Sequence, residues 1–563
     1  MKKLFLPWLL LALPVWAQER LTPPPTQILL PSDTTLTAGR TAEKLEADSS
    51  QIQLPDVVVM GQNKSLRQVD QKKVGKGEGP RLLQPSEAYG PLSSWLRRSN
   101  EKQGIEESPF RLQKTWLVLQ AGSYSTVETR LGHWHKLRNG QVHGYGWYDH
   151  SNGQYNHSGY QQGGMAGKWE YQPSAIVKTQ VQARYDRFGR ELHGAAYHQT
   201  ERNGGRGGVD LQVSVDPRPL TSLRANLEIE GISLNSDTAG VRLDESDDFS
   251  YNLALSGQQI WSQWQLSLHG RVLRENYDAM RDSTSDLATL SEVGVEALYP
   301  FSRQIQVSFG LGFQAMSADS AFNHQELAPF GRIRYSPNDR FGLALYVHSG
   351  LQYQSFMQRH QENPYLSHRF RMTPEESRFT LRLESEVLLV QGTHLSLMLG
   401  KNWMDRLLYW QSETSSGLFT LDSGSGSLSE IHLGITSSLS RNSTMAFQAA
   451  AYGDRLDQKA DSSGTLHVPY RPAWQLKVQG RQLLGHRWTM TAEAEYWGER
   501  YPQAQSGQRL PDFALVRAGV EKEISRTITL GLTLQNIADS RYVFWERYPE
   551  TGFSLHGGLR AQF

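Results

Sequence analysis

The chain has 563 residues, no cysteine, 50 glycines and a high aromatic content of 15 Trp, 23 Tyr and 19 Phe. Its formal charge of +1 becomes −1 without Lys2 and Lys3, a balance that excludes a polyanion-binding protein. The lack of cysteine excludes disulfides and thiolate metal sites.

The chain opens Met1-Lys2-Lys3, runs uncharged from Leu4 to Trp16, and reaches the small residue Ala17. A basic start, a short apolar stretch and a small residue predict a signal peptide over 1–17. The stretch is too short for a membrane-spanning helix, which takes about 20 residues. No cysteine follows, so lipid anchoring there is excluded, and no later window is apolar enough for a spanning helix. An exported chain of this composition is either a large soluble β-protein or an outer-membrane β-barrel.

Residues 18–111 start with Pro23-Pro24-Pro25, and their apolar residues recur with no period. This segment is expected to be periplasmic and largely extended or disordered, with a short helix over Leu92–Arg98. Within it lies Leu54-Pro55-Asp56-Val57-Val58-Val59-Met60-Gly61-Gln62. An acidic residue before three valines suits a β-strand, or an extended tag that pairs with another protein.

From Leu112 the pattern has period 2. Val209, Leu211, Val213 and Val215 alternate with polar residues, turn at Asp216-Pro217-Arg218-Pro219, and are answered by Leu223, Ala225, Leu227 and Ile229. The unit recurs at Val293–Phe313 and at Trp474–Tyr496, where Thr489, Thr491, Glu493 and Glu495 form the polar face. Repeated strands of this length with aromatic ends predict a transmembrane antiparallel barrel over 112–563, because such strands cross with about 9–11 residues between aromatic girdles. Tight turns fall at 138–140, 173–174, 216–219, 261–263, 300–303, 336–339, 391–392, 440–443, 485–486 and 525–526. With a first and a last strand, these hairpins predict about 22 strands. The other connections (151–162, 232–250, 274–291, 314–329, 349–377, 402–429, 452–473 and 498–512) read as long outer loops, which leaves both termini in the periplasm.

No spacing of Ser, His and Asp singles out an enzyme, and nothing calls for a cofactor. His133 and His135 share a strand face and are weak metal candidates; the reading preferred is that they line an interface or the lumen among aromatics. Gly204-Gly205-Arg206-Gly207-Gly208 reads as a flexible outer loop. Lys477, Arg481, Glu493, Glu495, Arg517 and Glu521 are expected to face a wet lumen.

Near the C-terminus, Phe553, Leu555, Leu559, Ala561 and Phe563 share one face. This alternating last strand with a terminal Phe resembles the signal read by the barrel-assembly machinery. Upstream, Asn536-Ile537-Ala538-Asp539-Ser540-Arg541-Tyr542 resembles the N-[LIV]-x-D-x-x-Y element of TonB-dependent outer-membrane receptors. Tyr548-Pro549-Glu550-Thr551-Gly552-Phe553 looks like their Y-P-x-P-G-R element, with Thr551 and Phe553 in place of proline and arginine. The resemblance implies a 22-strand transport barrel in the outer membrane. It also makes Asp56, Val57, Val58 and Val59 look like a TonB box or a first plug strand, and chance is the third reading. Only 50 residues separate Gly61 from Leu112, and the family's plug motifs do not appear among them. The expectation is therefore a receptor-type barrel with a missing or reduced plug, whose partners are the bilayer, the assembly machinery and TonB or a periplasmic protein that supplies a plug. The alternatives are a passive porin-like channel and a non-transporting surface receptor or scaffold.

Overall fold

The computed structural model describes residues 115–563 except 196–199, 219, 239–240, 280–283, 319–321, 391, 414–415, 458–465, 486 and 506. The predicted signal peptide, the Leu92–Arg98 helix and Asp56–Val59 lie outside the described residues.

The chain folds into one closed sheet of 22 antiparallel strands. In chain order these are β1 (Thr115–Gly122), β2 (Thr126–Leu137), β3 (Gly140–Ser151), β4 (Tyr160–Tyr171), β5 (Val177–Glu191) and β6 (Thr200–Arg218). Next come β7 (Thr221–Thr238), β8 (Val241–Trp261), β9 (Trp264–Ala279), β10 (Thr284–Pro300), β11 (Ile305–Ala318) and β12 (Phe322–Asn338). They are followed by β13 (Phe341–Gln352), β14 (Glu375–Val390), β15 (Thr393–Ser412), β16 (Phe419–Ser440) and β17 (Ser443–Leu456). The last five are β18 (Trp474–Leu484), β19 (Trp488–Trp497), β20 (Phe513–Glu523), β21 (Ile528–Gln535) and β22 (Ser554–Gln562). Each strand pairs with its neighbours in sequence, and β1 pairs with β22 from Trp116↔Gln562 to Gly122↔His556, which closes the cylinder. Among the described residues no helix is long and apolar enough to cross a membrane, and the one α-helix is α1 (Phe356–Glu362), in the β13–β14 connection.

The period-2 pattern sets the two faces of the wall, because successive side chains on a strand point to opposite sides. Leu255, Leu268, Val293, Phe309 and Leu327 point outward and are half or more exposed. The alternate positions carry charge and amide groups that bond across the lumen side. Trp261 and Phe301, each 73% exposed, mark the short-turn end of the apolar band, beside the Trp264–Tyr299 ring pair at 4.7 Å. Trp403 and Phe379, with ring centroids 5.6 Å apart, mark the band farther along the wall.

All ten expected turns are found between consecutive strands, but four of the expected long loops are strand instead. Residues 232–250, 274–291, 314–329 and 402–429 continue the β7–β8, β9–β10, β11–β12 and β15–β16 ladders nearly to their tips. Asn235 still pairs with Glu245, and Tyr409 with Asp422. β8 reaches 21 residues and β16 reaches 22, about twice what a bilayer needs. Beyond the apolar band both faces of a strand can be polar, so the alternation vanishes while the backbone ladder persists. The glycine run is corrected for the same reason. Gly204–Gly208 lies inside β6, registered from Phe188↔Gly204 to Arg184↔Gly208 on one side and from Gly204↔Leu234 to Gly208↔Glu230 on the other.

The closing seam can be tested directly, because the native chain has no cysteine. Leu119 and Leu559 are registered opposite each other. Opposed strand positions have Cα atoms about 4.5–5.5 Å apart, within disulfide reach. Leu119→Cys with Leu559→Cys should cross-link in the folded barrel, whereas Leu119→Cys with Leu555→Cys should not, as read by mobility on a non-reducing gel.

Candidate functional site: an aromatic seal at the loop end

The connections at the end opposite the short turns fold together over the lumen. The longest, 353–374 between β13 and β14, has the composition of a core segment: Tyr353, Phe356, Met357, Tyr365, Leu366, Phe370 and Met372 are all buried. α1 begins at a capping box in which Ser355 and Gln358 satisfy each other's backbone N–H groups.

Wall residues far apart around the cylinder hold this loop. Glu275 of β9 accepts from the Tyr353 hydroxyl and, at 2.6 Å, from the Phe356 amide. Arg202 of β6 donates to the carbonyls of Pro364 at 3.1 Å and Leu366 at 2.7 Å. Tyr277 donates to the His368 carbonyl. Trp410 of β15 donates to Glu362 at 2.9 Å. Leu366 forms a parallel bridge with Phe419, the first residue of β16.

The other half of the seal is the 536–553 segment between β21 and β22, which contains a short ribbon of Val543–Trp545 and Tyr548–Pro549. Tyr548 is fully buried, stacks on Tyr365 with centroids 3.5 Å apart, donates to the Gly417 carbonyl at 3.1 Å, and meets the edge of His193. Trp545 packs against Trp410, Phe419 and Tyr470. Arg500 lies 1% exposed beneath this layer, donates to the carbonyls of Phe544 and Pro511, and stacks over Phe513. Burial pulls its pKa down to about 10. These contacts join segments from nearly the whole circumference into one apolar cluster.

The family-like element anchors the second half. Asn536 and Asp539 adopt φ of 46° and 48°, the left-handed region that asparagine and aspartate tolerate best among side-chain-bearing residues. Asn536 Nδ2 donates to the carbonyls of Ser540 and Thr551, its Oδ1 accepts from the Ser540 amide, and Asp539 accepts from the Phe553 amide at 2.8 Å. Tyr542 packs on Phe513 and Phe544 at 4.6 and 5.4 Å. The element therefore pinches both stems of the segment that delivers Trp545 and Tyr548.

The other candidates lie elsewhere. Phe553, Leu555 and Phe563 point outward and are exposed, and Leu559 is half-buried on the same face. His133 and His135 lie exposed at the short-turn end with rings stacked at 6.4 Å. His133 bonds to Thr115, and among the described residues no group of metal-binding side chains includes either histidine. Lys477 bridges Glu493 at 3.3 Å and Glu495 at 2.6 Å, Arg517 joins Glu493 at 2.9 Å, and Arg560 reaches Glu521 at 3.6 Å, an ion-pair ladder on the lumen face. The seal residues Tyr365, Trp545, Arg202 and Glu275 escaped sequence reasoning, and Tyr548 was singled out only as part of the family-like element. For Tyr365 the signal was the density of aromatic residues and methionine inside 349–377, a composition suited to a core rather than to a solvated loop; no local pattern pointed to the others.

His360 sits on α1 between Phe188 and Phe356, with neither ring nitrogen bonded. Burial, with Arg202, Arg206 and Arg190 nearby, holds its pKa well below the usual 6.5. Glu550 is shifted the opposite way, upward, by burial. A histidine with a depressed pKa in the closed seal stays neutral there while an opened loop takes up a proton, so closure weakens as pH falls below the ordinary value. Protonated Glu550 favours closure on the same descent.

Two outcomes are expected. Tyr548→Ala should cost about 3–5 kcal/mol of seal stability, the range for truncating a buried aromatic residue, and should expose 353–374 to proteolysis while the barrel stays folded. The proteolysis rate should also rise more between about pH 7.5 and about pH 5.5 in the wild type than in His360→Gln, because only the wild type loses the histidine contribution.

No family model and no curated protein matches the chain. Solved structures do. The FrpB iron transporter from Neisseria meningitidis aligns with a TM-score of 0.66 at 9% identity over 80% of this chain and 81% of that one. The copper transporter OprC gives 0.65 at 11% identity over 80% of each chain. The ferric-catecholate import receptor Fiu from E. coli K12, in its closed form, gives 0.63 at 9% identity over 80% of this chain and 82% of that one. The barrel thus has the fold of the TonB-dependent receptors.

Proposed function

We propose that this protein is a gated transport barrel of the outer membrane, of the TonB-dependent receptor type, with its loops facing outward and both ends of the chain in the periplasm. The observation that carries the reading is the apolar seal. A 22-strand lumen is too wide to be filled by wall side chains alone, and a passive pore has no use for a packed aromatic layer across its mouth. The fold shared with metal and siderophore transporters supports transport, and the substrate of this chain is left open.

In this reading the loop end is the outer gate. Residues 18–111 act on the periplasmic side, as a reduced plug or a docking arm, and Asp56, Val57, Val58 and Val59 pair edge-on with TonB. Such pairing needs only backbone donors and acceptors and β-branched side chains.

Single-channel recording in planar bilayers tests the gate. The wild type should conduct little, and Tyr365→Ala combined with Tyr548→Ala should open a large, steady conductance. A wild-type barrel that conducts steadily would make it a passive channel, and a folded double variant that stays closed would favour a non-transporting surface receptor. For the energiser, Val58→Pro should abolish binding of a TonB C-terminal domain, since proline removes a paired N–H. If the unmutated chain does not bind that domain, the coupling is wrong and the gate stands alone.

A further inference from the structure

Near the seal the ladder between β12 and β13 is interrupted. β12 pairs with β13 only as far as Phe330↔His348, and then β13 bends away at Gly350, which has a φ of +132°. The Leu351 amide bonds instead to Gln314 Oε1 at 2.7 Å, while β13 stays registered with β14 through Leu351↔Glu376 and Gln352↔Glu375. The first residues of β12 therefore face the start of β14 across a gap that no backbone ladder closes.

Three side chains meet there. His324 Nε2 lies 3.4 Å from Glu376 Oε1 and 3.8 Å from Glu326 Oε2. One ligand atom from each of the three residues falls within 4.8 Å of the others, and all three residues are half-buried. His324 Nε2 and Glu326 Oε1 are shielded from solvent and have no hydrogen-bond partner. Phe322 stacks on His324 at 6.0 Å and fixes its ring. Arg406 lies over Phe322 at 4.4 Å and reaches the other oxygen of Glu376, Oε2, at 3.6 Å.

These spacings fit a metal ion better than they fit an ion pair. Ligand atoms held at 2.0–2.2 Å in a tetrahedral set lie roughly 3.3–3.6 Å from one another; the His324–Glu376 separation of 3.4 Å falls in that range, and the His324–Glu326 separation of 3.8 Å needs only a small inward shift. Two carboxylates side by side repel unless a cation lies between them. Arg406 occupies only the far oxygen of Glu376, which orients that carboxylate and leaves Oε1 turned to the cluster, in the way supporting partners orient metal ligands. A mixed imidazole and carboxylate set suits a divalent transition ion, Zn²⁺ among them.

We propose that His324, Glu326 and Glu376 bind one divalent transition-metal ion that clasps β12 to β14 where the β12–β13 ladder stops. The ion is a structural tie in the wall, separate from any cargo, and it steadies the stem from which the 353–374 loop springs.

The test is Zn²⁺ titration of the full chain, purified in detergent and stripped with a chelator. Folding is scored by heat-modifiable gel mobility, and the 353–374 loop by limited proteolysis. The wild type should bind one equivalent with micromolar or tighter affinity and should lose cleavage sites in the loop on binding. His324→Gln and Glu326→Gln should each weaken binding at least tenfold and remove that protection. His133→Ala with His135→Ala should change neither. If Glu376→Gln fails to fold, the two variants at the start of β12, which is paired with β11 alone, decide by themselves. Absence of a saturable site in the wild type, or affinity unchanged in both β12 variants, overturns the proposal.

Discussion

The structure depends on one constraint. A peptide chain in hydrocarbon must bond every backbone N–H and C=O to itself, and a sheet can do so only by closing on itself. β1 meets β22 in an unbroken register, and every other strand pair follows from having its neighbour in sequence beside it. Closure joins the first strand to the last, and the number of strands then sets the bore. A bore of 22 strands exceeds what inward-facing side chains can fill, so its interior is left to water or to other parts of the chain. The described residues answer with loops that carry a core of their own.

That core is built unlike the wall. In the wall, apolar groups face outward and polar groups pair inward, as in the Lys477, Glu493, Glu495 and Arg517 ladder. At the loop end the arrangement inverts, and aromatic residues from distant strands meet in the centre around Tyr548 and Trp545. Polar anchors such as Arg202 and Glu275 stand at its edge and bond to loop backbone, satisfying carbonyls and amides that would otherwise be buried without partners. The burial that makes the seal tight also makes it sensitive to charge, because a buried imidazole beside three arginines has no room for a proton.

The wall was legible in the sequence because lipid imposes a two-residue period and polar turns interrupt it. The ten hairpins could be placed from residues such as Asp216-Pro217 and Asn139-Gly140 alone. Legibility ended where lipid ended. Asn235, Glu245 and Asp247 carry no alternation, yet they sit in ladders as regular as those inside the membrane. The glycines of β6 misled for a related reason: a strand held by both neighbours needs no side chains to be a strand. The seal was hidden by distance in sequence, since no local pattern joins Tyr365 to Tyr548. The Asn536 and Asp539 element was recognised by likeness, and its backbone angles together with its side-chain bonds to Ser540, Thr551 and Phe553 explain why those residue types serve there.

The placement of Tyr548 also has a consequence for the order in which the molecule is completed. Its segment hangs between β21 and β22, and β22 is the strand that joins β1 to close the ring. The stems of that segment are set by the β21–β22 hairpin, up to Gln535↔Ser554, and by the bonds of Asn536 and Asp539, but the rings it packs against come from arcs of the wall that only a closed cylinder brings face to face. A half-built cylinder is thus an unsealed one. Seam and lid are coupled, because Tyr365 and Tyr548 stack across a lumen whose circumference the β1–β22 register completes.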